Sequence, residues 1–163
     1  MRLLLIALTV LLGLSGQVTA REIVAFDGYK PGTIVVFTSA RELYYVLDSK
    51  RAVRYPVGVG KAGMAWSGKA RVVRKLRRPS WGPPLDIWRA NPHLPYYIPG
   101  GSPRNPMGEA VLGLNRGNYA IHGTNRPSSI GKFVSYGCIR MYNQDIMDLY
   151  RRVPIGTEVI VLR

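Results

Sequence analysis

The side chain in this sequence most capable of covalent chemistry is its single cysteine, Cys138, and sixteen residues earlier stands His122. Cys138 follows Gly137, a residue that lets the backbone turn tightly or approach a ligand. A thiolate is the nucleophile and a thiol is not, so a reactive cysteine needs a base or positive charge beside it. A loop returning from His122 to Cys138 could bring imidazole and sulfur within hydrogen-bond reach. The N–H groups of Tyr136, Gly137 and Cys138 could then converge on one point as an oxyanion site for acyl transfer. The plainer alternatives are an inert buried thiol and a histidine satisfied at the end of a strand.

Other chemistries find less support. The two histidines, His93 and His122, and the one cysteine match no metal-ligand spacing, so no metal is expected. His93, in P-H-L-P, reads as a surface residue. The glycine-rich stretches 57–61 and 100–108 lack the strand-to-helix context and the Lys-Ser/Thr ending of a phosphate loop, and no cofactor is expected.

The elements that must position these residues are mostly strands. Thr33 to Phe37 and Leu43 to Leu47 are β-branched and aromatic runs that suggest a hairpin. Arg54 to Gly60, Ala110 to Leu114, Asn118 to Ile121 and Glu158 to Leu162 are further strand candidates. One helix is expected from Asn143, taken as its N-cap, with Asp145 in the first turn; Ile146, Leu149, Tyr150 and Val153 share a face, and Pro154 and Gly156 end it. Eight prolines among the 28 residues from Pro79 to Pro106 exclude a helix or central strand there and suggest an ordered loop, a lid over a site or a cover for the core.

With 163 residues, 47% of them hydrophobic and 20% charged, the chain has the size of one domain with its own core. Met1 and Arg2, the apolar run Leu3 to Leu14 and the small residues of Val18-Thr19-Ala20 read as a secretory signal peptide over residues 1–20. The expected mature domain is 21–163, soluble, with no stable membrane insertion. An unpaired cysteine outside the cytoplasm asks for a reason.

The formal net charge is +14, and about +13 without Arg2, which steers the protein toward polyanions. The densest cluster is Lys69, Arg71, Arg74, Lys75, Arg77 and Arg78, readable as a solvated edge strand or as a polyanion contact. Secretion argues against nucleic acid as the partner.

The segment H-G-T-N at His122, S-Y-G-C-I-R-M from Ser135 to Met141, and N-Q-D at Asn143 together resemble the signature of the L,D-transpeptidase catalytic domain of bacterial cell-wall enzymes. L-Y-Y-V at Leu43, Y-P-V-G-V-G-K at Tyr55, W-G-P-P at Trp81, Y-I-P-G-G at Tyr97, N-P-M-G at Asn105, S-I-G at Ser129 and G-T-E-V at Gly156 extend the likeness, in order, over nearly all of 21–163. The resemblance implies a mainly β, sandwich-like fold in the cell envelope or periplasm. Its cysteine attacks peptidoglycan stem peptides at the carbonyl of their third residue, a diamino acid, and D-Ala leaves. The acyl group then passes to an amine of another stem, to water or, in some members, to an envelope lipoprotein.

Carried over, Cys138 is the nucleophile and His122 the general base and acid. Ser135 supports the site by hydrogen bonding, Arg140 orients a substrate carboxylate or holds the loop, and Gly123, Thr124 and Asn125 shape the turn that aims His122. One residue departs from the pattern. Many members carry a second histidine where this chain has Tyr136, which puts rate or acceptor choice in question. The competing expectation is a non-catalytic secreted module that binds an anionic wall polymer through its charge.

Overall fold

The structure, a computed structural model, describes residues 21–163. The segment assigned above to a signal peptide lies outside the described residues. Most of the chain forms one nine-stranded sheet. In chain order its members are β1 (Glu22–Ala25), β2 (Ile34–Phe37), β3 (Glu42–Val46), β4 (Arg51–Pro56), β6 (Gly68–Arg77), β7 (Ala110–Leu114), β8 (Ala120–His122), β10 (Ile139–Arg140) and β11 (Glu158–Leu162). A pair formed by β5 (Val59–Gly60) and β9 (Phe133–Ser135) stands apart, and the helices are α1 (Leu85–Ala90) and α2 (Asn143–Arg152). Across the large sheet the order is β1-β4-β3-β2-β11-β6-β7-β8-β10.

The hairpin read from the sequence forms as β2 and β3, with Ile34 opposite Tyr45. Ile34, Val35 and Val36 are all fully buried, which suits β-branched side chains between two packed layers. The strand expected over Arg54 to Gly60 breaks in two. Pro56 ends β4, and Gly58 passes so near Ser129 that a Cβ there would meet its carbonyl oxygen at 2.6 Å. The strand expected from Asn118 begins only at Ala120, because Arg116 to Tyr119 close a turn through Tyr119 N–H to Arg116 O at 3.1 Å.

The basic cluster lies on β6, which is no edge strand. Residues 68–71 pair with β11 and 72–77 with β7, and a bulge between Val72 and Arg74 marks the change. Ala70 and Val72 face the core while the cations face out. Several of those cations are already engaged: Lys69 with Glu158 at 3.4 Å, Arg78 with Glu109 at 2.9 Å, and Lys75 with Tyr150 O at 2.8 Å and with that residue's ring.

Residues 78–109 leave and re-enter the sheet between β6 and β7. Contrary to the sequence expectation, this proline-rich excursion contains a short helix, α1, over the proline-free stretch L-D-I-W-R-A. It is held as an ordered loop by paired hydrogen bonds between Trp81 and Ile98, at 2.8 and 2.7 Å. Buried Asn105 stitches it further, donating to Pro79 O at 2.8 Å and Pro99 O at 3.2 Å and accepting from Met107 N–H at 2.9 Å.

Helix α2 packs against β7 with Ile146, Leu149 and Val153 buried, as its periodicity demands. Asn143 does not cap it. The N-cap is Tyr142, without a side-chain bond, and Asn143 Oδ1 instead accepts the N–H of Thr124 at 3.1 Å and of Glu109 at 3.2 Å. That side chain ties the start of α2 to the turn after His122. Among the described residues, no helix is long and apolar enough to cross a membrane.

Candidate active site

The site is assembled by the parallel pair β8 and β10. Ile139 lies opposite Ile121 and Arg140 opposite His122, while Cys138 immediately precedes β10. Side chains alternate along strands, so Ala120 and His122 share a face with Cys138 and Arg140. The fold thus brings to one place residues sixteen apart in sequence.

His122 is 2% exposed, and its Nδ1 lies 2.6 Å from Gly123 O. Facing a carbonyl, Nδ1 carries the hydrogen, which leaves the lone pair of the neutral ring on Nε2. Burial pushes the imidazole pKa down to about 4, with Arg140 adding to the fall and the carbonyls of Gly123 and Pro106 opposing it. The Cys138 thiol is pushed up by burial, against the pull of the Ala120 N–H and of Arg140. Its Sγ lies 3.7 Å from Asn118 O. At neutral pH both groups are uncharged, so a nucleophile here forms as the proton moves and not as a standing ion pair.

The turn carrying Cys138 is braced from several sides. Ser135 Oγ donates to Cys138 O at 2.5 Å and accepts the Gly137 N–H at 3.1 Å. That second bond engages the Gly137 N–H within the turn. The N–H groups of Tyr136 and Cys138 make no hydrogen bond among the described residues. Gly137 adopts φ +115°, and a Cβ on it would meet the Tyr119 ring at 2.5 Å. Trp66 Nε1 donates to Gly137 O at 2.9 Å and stacks on Tyr119 with centroids 5.6 Å apart. Neither aromatic residue stood out in the sequence.

Arg140 is half-buried, and its side chain forms no ion pair among the described residues. Burial lowers its pKa, and its charge acts on both His122 and Cys138. Its backbone exchanges two 2.8 Å hydrogen bonds with Gly58. Strand pairing therefore fixes the backbone on either side of the guanidinium.

Gly123 and Thr124 pack inward against Asn143, and Thr124 Oγ1 accepts the Arg126 N–H at 3.0 Å. Asn125 is exposed and donates to Arg104 O at 2.9 Å, joining the turn to the proline-rich loop. It lines two adjoining clefts of about 400 and 410 Å³. One is shared with Tyr97, Pro99, Arg104 and Arg126, the other with Thr124, Tyr142 and Gln144, and Cys138 lines neither. The loop thus borders the turn after His122. His93 is exposed, and the described residues contain no cluster of three metal-ligating side chains.

Comparison with known proteins identifies the family and the fold. Residues 31–161 match the family model YkuD, the L,D-transpeptidase catalytic domain. A probable L,D-transpeptidase, ErfK/SrfK of Escherichia coli, is 36% identical over 148 residues, covering 87% of this chain and 47% of that protein. The chain spans about half the length of that relative. The crystal structure of L,D-transpeptidase 3 from Mycobacterium tuberculosis superposes with a TM-score of 0.63 at 18% identity, over 80% of this chain and 60% of that one, and so shares the fold. A Brucella melitensis crystal structure described as a probable carnitine operon oxidoreductase is 43% identical with a TM-score of 0.59, covering 90% of this chain and 95% of that one. The family model spans the hairpin, the β8–β10 pair and the Cys138 turn alike, and this chain belongs to the L,D-transpeptidase catalytic-domain family.

Proposed function

We propose that this protein is an exported cell-wall acyltransferase that forms a Cys138 acyl-enzyme with peptidoglycan stem peptides. The observation that carries the reading is the shared face of Cys138, His122 and Arg140 on β8 and β10. Cys138 Sγ attacks the carbonyl of the stem's third residue as its proton passes to Nε2 of His122. The neutral state of His122 suits that role, since a ring with a pKa of about 4 has its lone pair available at neutral pH. The N–H groups of Tyr136 and Cys138 receive the charge that develops on the carbonyl oxygen. The carbon–nitrogen bond to D-Ala then breaks, His122 returning its proton to the leaving amine, and a thioester remains. An amine of a second stem, or water, attacks the thioester with His122 again taking a proton, and Cys138 leaves as a thiol.

Arg140 pairs with a carboxylate of the substrate, and Ser135 keeps the Cys138 turn in register. Residues 1–20 direct export, and the mature domain works in the periplasm or envelope, with no cofactor. Support comes from the family, from the unpaired guanidinium and from the neutral histidine.

The test is an intact-mass spectrum after brief incubation with a disaccharide-tetrapeptide, beside Cys138→Ala. An acyl adduct or D-Ala release that depends on Cys138 is expected. Neither product from folded protein with a titratable thiol overturns the reading and favours the wall-binding module, whose retention on anionic polymer would fall with salt.

A further inference from the structure

Beside the Cys138 turn, Lys61 is held against an aromatic ring and not against a carboxylate. Its N–H donates to Ser135 O at 2.9 Å, three residues before Cys138, and its ammonium lies 4.0 Å from the centroid of the Tyr136 ring. Several other cations meet carboxylates: Arg51 with Asp48, Arg54 with Glu22 and Glu42, Arg151 and Arg152 with Asp148. Lys61 has no carboxylate partner among the described residues, and both it and Tyr136 are half-buried. An aromatic face attracts an ammonium without neutralising it, so the charge remains available to an anion. A carboxylate partner would have cancelled it.

Position 136 is also where this sequence departs from the histidine common in the family. The phenol ring offers a wide face, and the backbone on either side leads directly into Ser135 and Gly137. The ring therefore sets where the ammonium stands relative to the cysteine. Arg41 over Phe133 at 5.1 Å, Lys75 over Tyr150 at 4.3 Å and Arg116 over Trp66 at 4.8 Å also rest on rings, but the ring under Lys61 belongs to a residue two positions from Cys138. The shift of the Cys138 thiol follows from its burial, the Ala120 N–H and Arg140.

We propose that Tyr136 is a positioning residue that holds the Lys61 ammonium beside the Cys138 turn, where it reads a free carboxylate on the side chain of the donor stem's third residue. The proposal rests on the acyl-donor reading above and names the feature of the substrate that this residue pair selects.

Two tetrapeptide stems test it, one with a free side-chain carboxylate on the third residue and one with that carboxylate amidated. The wild type is expected to favour the free acid through KM by about ten- to a hundredfold, the range of a hydrogen bond to a charged group. In Lys61→Met that preference disappears while kcat stays within about twofold. Tyr136→Leu weakens the preference and Tyr136→Phe, which keeps the ring face, restores it. Calorimetric binding to Cys138→Ala protein reads the same preference without turnover. An acyl adduct with equal preference in wild type and Lys61→Met overturns this proposal and leaves the enzyme reading intact. No adduct, but a Lys61-dependent preference in binding, overturns the enzyme reading alone. Loss of both overturns both.

Discussion

Burying His122 makes its charge unfavourable to the folded state. The imidazole stays neutral in the folded chain down to a pKa of about 4, against an ordinary value of 6.5. Between those values the unfolded chain holds more protons, so this contribution to stability is complete above about pH 6.5 and is lost as the pH falls toward 4. Its full size is about 3 kcal/mol. Urea titrations at pH 7 and pH 4.5 should therefore show a larger acid loss in wild type than in His122→Gln, which has no proton to take up. Turnover should keep its acidic limb below pH 5, since His122 is the expected base. Gly137→Ala should cost about 1–3 kcal/mol through its positive φ and the Tyr119 ring, and should lower turnover more than thiol accessibility, as read by thermal melts and thiol titration. Cys138 and His122 were visible as residue types at a workable spacing. Trp66 and Tyr119 were not, because Trp66 reaches Gly137 across 71 residues with no local pattern to betray it.

The elements differ in how much of themselves they carry in their own sequence. Strands β2, β3, β7 and β11 and helix α2 showed their period or their β-branched runs, and the structure places them within a residue or two of expectation. Strands β1, β9 and β10 have four residues or fewer, and only their partners make them strands. The cluster on β6 looked like an edge because cations predominate among its exposed positions, whereas its inward alternation of Ala70 and Val72 marks a central strand. Asn143 shows the same limit, since a good capping residue was recruited to hold a turn in another part of the fold. Asn143→Ala should strand the part-buried Thr124 N–H at about 1–3 kcal/mol and release the exposed Glu109 N–H to water, and should depress both melting temperature and kcat. Asn105→Ala should act more locally. Limited proteolysis is expected to cut residues 78–109 faster, with the far-ultraviolet dichroism of the sheet unchanged.

At the scale of the molecule, one core joins β2 to β8, β10, β11 and α2 through residues such as Ile34, Tyr55, Leu112, Ile121, Met141 and Leu149, with no internal boundary. Tryptophan fluorescence and far-ultraviolet dichroism should accordingly report a single coincident unfolding transition. The sequence conveyed the fold class, through strand runs and family landmarks, but it could not convey strand order, which depends on pairings between distant segments. The central strand of the sheet is such a case. Strand β11 lies between β2, to which it runs parallel, and β6, to which it runs antiparallel. Thr38 Oγ1 closes that junction on Leu162 O at 2.9 Å across 124 residues. Synthesis proceeds from the other end, so a ribosome that has not yet released residues 158–162 holds a polypeptide in which β2 and β6 have nothing between them. Such a chain cannot join the two halves of its sheet while it is made, and a message truncated before Glu158 would yield material for proteases and no partly active enzyme.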